Sequence, residues 1–139
     1  WENIKHYIPN NKVIWEAFYG DGKSGNYLVE MGYNVIHEKI DFFNNDKGDI
    51  IVSNPPFSLY KEIMNRLMTL DKPFILILPS SKINTQTFRK WNNKKIQIII
   101  PRKRIQFIKN GNILNNKCNF DCFYYCYKMN LSNDIIWLE

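Results

Sequence analysis

Short β-branched runs alternate along the chain with stretches of helical character, and a chain written that way folds as a parallel sheet with crossover helices. The runs are residues 12–16, 34–38, 49–53, 73–78 and 96–100. Their continuous apolar character predicts strands buried on both faces. Between them, Ser24 is placed to cap a helix over 26–31 that Gly32 terminates. Ser58 is placed to cap a second helix over 59–70, where Ile63, Leu67 and Leu70 share a face. A weaker helix covers 85–91, capped by Asn84 or Thr85, and Pro79 and Pro101 close the fourth and fifth runs. The C-terminal part changes character. Residues 104–108 and 120–129 are strand-like, and the Asn-rich connector between them reads as a hairpin loop or a mobile segment. The expected fold is therefore α/β, a mostly parallel sheet with an antiparallel C-terminal hairpin at its edge.

With 139 residues, 45% of them hydrophobic and 23% charged, the chain has material for one packed core. No linker or repeat divides it, so residues 1–139 are expected to form a single domain with no separate target-recognition domain. The longest apolar runs, 74–78 and 96–100, are far too short to span a bilayer. No basic-then-apolar leader opens the chain, and a start at Trp1 reads as a piece trimmed from something longer. Lys and Arg outnumber Asp and Glu by 19 to 13, a formal charge of +6, which favours a polyanionic partner such as nucleic acid. An AT-rich coding sequence would raise Lys, Asn and Ile just as well, so charge alone does not decide. Three cysteines, an odd number, point to reduced thiols and an intracellular setting. Cys118, Cys122 and Cys126 recur every fourth residue, the last two expected on one buried strand face. A zinc site would need a further ligand, and His6 and His37 lie far off in sequence.

Two motifs stand directly behind predicted strands. Gly20-Asp21-Gly22-Lys23-Ser24-Gly25 fits G-x-G-x-x-G between a strand and a helix, where residues without Cβ let a ligand approach the backbone. Its end, Gly22-Lys23-Ser24, also matches the tail of a phosphate-binding P-loop, but Ala17 stands where that pattern needs its first glycine. The second motif, Asn54-Pro55-Pro56-Phe57, follows the strand 49–53. Paired prolines cannot continue a central strand, and they stiffen the loop by fixing φ and removing N–H donors. A carbonyl held in a defined direction, beside an amide side chain and before an aromatic ring, suits a planar heterocycle that carries an amino group. Both motifs fall at carboxyl ends of parallel strands, where open α/β sheets bind their ligands.

Together the two motifs resemble those of the class I S-adenosyl-L-methionine (SAM)-dependent methyltransferases that modify exocyclic amino groups, adenine N6 above all. The signature [DNS]-P-P-[FYW] is met by Asn54-Pro55-Pro56-Phe57. The cofactor loop D-x-F-x-G-x-G is met by Glu16-Ala17-Phe18-Tyr19-Gly20-Asp21-Gly22, with Glu in place of the first Asp. The likeness spans approximately residues 12 to 127 and is nearest to small phage- and virus-type adenine methyltransferases. It implies a Rossmann-like fold and SAM as cofactor. Among the cofactor-binding residues it implies Glu16, with Phe18 and the backbone of Gly20 and Gly22 flanking the methionine end. Glu38 would hold the ribose hydroxyls, and Asp41-Phe42-Phe43 would be the element in which Asp41 meets the cofactor's adenine amino group and a neighbouring apolar side chain, Phe42, lies against the ring. Asn54 and Pro55 would accept hydrogen bonds from the substrate amino group, with Pro56 stiffening the corner and Phe57 stacking on the base.

A base in a duplex cannot reach such a corner without being flipped out. The segment Arg102-Lys103-Arg104-Ile105-Gln106-Phe107 is the candidate for substrate binding: Arg102 and Arg104 for phosphates, Phe107 beside the extruded base. DNA is the expected substrate. RNA adenine and protein glutamine N5 remain alternatives, as does a catalytically silent module of the same fold that binds nucleic acid.

Overall fold

The computed structural model describes residues 1–105, 108–109, 112–113 and 121–139. Nine strands are assigned among them: β1 (Val13–Trp15), β2 (Asn34–Ile36), β3 (Ile50–Ser53), β4 (Phe74–Pro79), β5 (Ile96–Ile100), β6 (Ile108–Lys109), β7 (Asn112–Ile113), β8 (Cys122–Tyr127) and β9 (Ile135–Trp137). Seven form one sheet in the order β2-β1-β3-β4-β8-β5-β9, and β6 pairs with β7 in a separate ribbon. In the seven-stranded sheet the pairs β1–β2, β1–β3, β3–β4 and β5–β9 are parallel and β8 runs against its neighbours β4 and β5; the β6–β7 ribbon is antiparallel.

Side-chain alternation along the central strands builds two cores, one on each face. Phe74, Leu76 and Leu78 of β4 enter one cluster with Tyr125 and Tyr127 of β8. Ile75 and Ile77 point the other way, into a cluster with Tyr124 and Cys126. The first face is covered by α2 (Tyr60–Leu70), which buries Tyr60, Ile63, Met64 and Leu67, and by Trp91 beyond α3 (Gln86–Arg89). The second is covered by α1 (Lys23–Glu30) through Leu28 and by the 3-10 segment Glu2–Tyr7 through Ile4. As expected, Cys122 and Cys126 are buried on the same face; Cys118 lies outside the described residues. No helix among the described residues is long and apolar enough to cross a membrane.

The α/β, mostly parallel sheet agrees with the expectation, but its antiparallel strand is not at the edge. β8 is inserted between β4 and β5, with Phe74 opposite Tyr127 and Ile96 opposite the same Tyr127. A strand whose two edges are both hydrogen-bonded and whose two faces are both covered explains the run of aromatic and Cys residues from 122 to 127. The edge is formed instead by β9, which the sequence did not announce. Two helix caps also differ. α1 starts at Lys23 behind Gly22, and α2 starts at Tyr60 behind Leu59, neither with a side-chain cap. Ser24 is drawn away by a buried acceptor described below, and Ser58 lies within the 3-10 turn Phe57–Leu59. Gly32 does end α1: its N–H bonds to Val29 O at 2.9 Å and that of Tyr33 to Leu28 O at 3.2 Å, the paired reverse bonds of a Schellman motif. Thr85 caps α3, accepting from the Phe88 N–H at 3.2 Å.

Candidate active site

Because β1, β2 and β3 run parallel, their carboxyl ends open onto one edge of the sheet, and the loops that follow them enclose a single cleft of about 640 Å³. The turn after β1 contributes Ala17, Phe18, Tyr19 and Gly20; the segment after β2 contributes Ile40, Asp41, Phe42 and Phe43. The corner after β3 contributes Asn54, Pro55, Pro56 and Phe57, with Leu59 beyond it. The glycine turn and the proline corner, 34 positions apart from Gly20 to Asn54, are therefore two walls of one space.

The corner is built for acceptance. Pro55 is buried and anchors it, Pro56 is exposed, and Asn54 and Phe57 are half-buried. Among the described residues none donates a hydrogen bond to the Asn54 amide oxygen or the Pro55 carbonyl, and both are hydrogen-bond acceptors. The wall opposite is aromatic. Phe42 is 3% exposed, with its ring centroid 5.6 Å from Trp15, 4.8 Å from Phe18 and 5.4 Å from Phe43. Phe42 is thus held in the core and Phe43 is the more exposed ring, a distinction that two adjacent Phe in sequence do not reveal. Asp41 caps the 3-10 turn Phe42–Asn44: it accepts from the Phe43 N–H at 2.9 Å and from the Asn44 side chain. An ionised carboxylate has about four acceptor positions, so Asp41 keeps capacity for a further donor.

Glu38 is exposed and does not line the cleft, and Gly22 sits behind Tyr19 at the start of α1, its φ of 82° in the left-handed region. Glu16 is placed behind the glycine turn, fully buried, rather than on the cleft surface. Its carboxylate accepts from the Phe18 N–H at 3.1 Å, from the Ser24 and Ser53 hydroxyls, and from the Asn54 N–H. Burial outweighs these bonds and pushes its carboxyl up to about 7. Arg102 and Arg104 are exposed beyond β5, outside the cleft lining, and Arg104 Nε bonds Asp121 at 2.8 Å. Phe107 lies outside the described residues. Sequence reading gave no site role to Ala17, Tyr19, Ile40 and Leu59 in the lining or to Ser24 and Ser53 behind it, and included Phe43 only as part of the Asp41-Phe42-Phe43 element. Only Tyr19 and Phe43 carried a signal, as aromatics inside the two motif segments.

Tyr19 is held in place by His37, whose ring stacks on it with centroids 6.0 Å apart and planes 7° apart, while the Lys39 ammonium lies 5.2 Å from the Tyr19 centroid. His37 in turn fits only because residue 25 is glycine: a Cβ there would overlap the imidazole. Gly25→Ala is expected to destabilise the protein by about 1–3 kcal/mol, the usual cost of overpacking. His37→Ala in the same chain is expected to recover only part of that loss, because the Cβ of residue 37 itself lies 2.5 Å from the added methyl group, and urea denaturation of the three variants measures it.

A parallel sheet interrupted by one inserted antiparallel strand, with a glycine turn and an Asn-Pro-Pro-Phe corner sharing a cleft at its carboxyl edge, defines a Rossmann-like methyltransferase fold. The family described as adenine-specific methyltransferase EcoRI matches residues 27–120, more than half of the chain, and the chain belongs to that family. Among characterised relatives, the type II methyltransferase M.EcoRI of Escherichia coli is 40% identical over 52 residues, 37% of this chain and 14% of that protein. The match thus spans only a small part of that relative's length.

Proposed function

We propose that this protein transfers the methyl group of SAM to the exocyclic N6 of adenine in DNA. The observation that carries the reading is the cleft itself, which joins the glycine turn to an acceptor corner whose Asn54 amide and Pro55 carbonyl have no donor among the described residues. The aromatic wall, the Asp41 carboxylate and the open backbone at Gly20 fit an adenosine-containing sulfonium compound. When bound, that compound supplies an electrophilic methyl group.

The chain's own residues then have one task, to make adenine N6 a nucleophile. Its lone pair is delocalised into the ring. Two acceptors, the Asn54 side-chain oxygen and the Pro55 carbonyl, take a hydrogen bond each from the two N6 hydrogens and favour a pyramidal nitrogen. Phe57 stacks on the base and sets its plane. No strong base is needed at the corner, because the proton becomes acidic only as the N6–methyl bond forms at the expense of the sulfur–methyl bond, and it is then lost to water. Such positioning is worth about 7–11 kcal/mol in well-oriented systems. The base must leave its stack to enter, and the exposed cations Arg102 and Lys103 are suited to the flanking phosphates. Glu38, beside the cleft segment that begins at Ile40, is assigned to the ribose hydroxyls, and an intracellular setting goes with the whole reading.

The test is direct. The protein is incubated with SAM carrying a labelled methyl group and with duplex DNA, single-stranded RNA or a glutamine-containing peptide, and the methylated atom is identified after digestion. Label on adenine N6 of DNA is expected. Label on RNA or glutamine alone replaces the substrate, and binding of SAM without transfer to any of the three removes the enzymatic reading.

A further inference from the structure

The β1–β3 ladder ends with Trp15 opposite Ile51. Beyond that pair the chain after β1 turns off into the glycine turn, while β3 continues through Val52 and Ser53 against β4 before the proline corner, so the β1–β3 pairing does not reach the two loops. What spans that gap is Glu16. Its own N–H is fixed to Ile36 O of β2 at 3.0 Å. Four donors from three places converge on its carboxylate: the Phe18 N–H from the turn, the Ser24 hydroxyl from α1, and the Ser53 hydroxyl and Asn54 N–H from the end of β3. Ser24 is itself held by the Trp1 indole N–H at 2.8 Å. None of these four donors is charged, and His37, against Gly25, is the titratable side chain packed on the same first turn of α1.

We infer that Glu16 is a positioning residue that acts as a carboxylate to lock the glycine turn and the Asn54 corner into one unit, fixing the separation between methyl donor and acceptor. This rests on the proposed methyl transfer, but the lock itself does not require it. The donor set matches the ionised form, because a carboxylate is purely an acceptor and can serve four donors, whereas an acid or an amide must turn one atom into a donor; burial opposes that form and outweighs the bonds. Side chains that hold a reacting geometry matter at this scale, since about 1 Å of misplacement costs about 10²-fold. The carboxyl titrates near neutrality, about 7, so the lock is expected to form as pH rises through that range.

Two variants test it, Glu16→Gln and Ser53→Ala, separately and combined, with steady-state transfer and backbone amide hydrogen exchange as readouts. Glu16→Gln is expected to lower kcat about 10²-fold with KM for SAM changed less than about threefold, as for loss of an interaction made in the transition state. The wild-type kcat is expected to rise with pH through neutrality and that of Glu16→Gln to stay flat. Ser53→Ala is expected to cost less, and the double variant to fall no further than Glu16→Gln alone, because both changes cut one link. Exchange is expected to quicken in 17–25 and 54–57 together. An unchanged kcat, strictly additive losses, or unchanged exchange in either segment overturns the inference. If the wild type transfers methyl to nothing, the functional reading falls, and the exchange measurement alone decides the lock.

Discussion

Asn54→Ala is expected to lower the rate of methyl transfer by about 10³-fold, the upper end of the range for deleting one preorganised hydrogen-bonding group from a reacting centre. SAM should still bind with an almost unchanged dissociation constant. The two parts of that result come from separate walls of the cleft. Asn54 belongs to the corner after β3, while the surfaces suited to the cofactor belong to the turn after β1 and the segment after β2. Truncation removes one of the two acceptors that draw N6 out of conjugation and leaves the Pro55 carbonyl alone, so the nitrogen keeps its planar, delocalised form. Asn54→Asp should retain measurable transfer, because a carboxylate oxygen also accepts at that position. Single-turnover transfer of labelled methyl groups gives the rate, and titration calorimetry with SAM gives the affinity. Full transfer by Asn54→Ala would refute the catalytic role, and a collapse of SAM binding would show that the corner serves the cofactor instead.

The parts of the site that were legible in the sequence are those whose signal is local. Asn54-Pro55-Pro56-Phe57 and the glycine turn each follow a run of β-branched residues, so strand, break and loop can be read within about ten residues. What was not legible depends on partners far along the chain. Ser24 looks like a helix cap because nothing nearby shows that Glu16 will take its hydroxyl. Ser53, 37 residues from Glu16, gives no sign of meeting the same carboxylate. The reading of Glu16 as a residue on the cofactor's own surface came from a consensus position, and the structure puts its side chain behind the turn, at 0% exposure. Strand position was hidden for the same reason. The continuous aromatic and Cys run of residues 122–127 announces a strand, but pairing on both sides, to β4 and to β5, is a fact of topology. Phe42 and Phe43 show the limit at its smallest scale, since only the 3-10 turn capped by Asp41 decides which ring is packed inward.

Glu16→Gln is expected to remove a pH dependence of stability and, above neutrality, to give the more stable protein. The Glu16 carboxyl moves from an ordinary value of 4.5 to about 7 on folding, with desolvation outweighing its hydrogen bonds. The folded state therefore binds the proton more tightly than the unfolded chain, and stability is lost as pH rises. The full contribution is present below about pH 4.5; it declines between 4.5 and 7 and is gone above that range. A shift of that size corresponds to about 3 kcal/mol. Urea denaturation of both proteins at intervals from pH 4.5 to 8 isolates the effect as a difference, because all other titrating groups are shared. The expected result is curves that converge at the acid end and separate by up to about 3 kcal/mol at pH 8, with Gln the higher. Parallel curves would mean that the carboxyl titrates normally and that the buried network is better solvated than its geometry implies. A buried carboxylate that lowers stability at neutral pH is the kind of feature kept for activity at the expense of stability. The same substitution is thus expected to strengthen the fold while slowing the reaction, opposite signs that loss of packing alone would not produce.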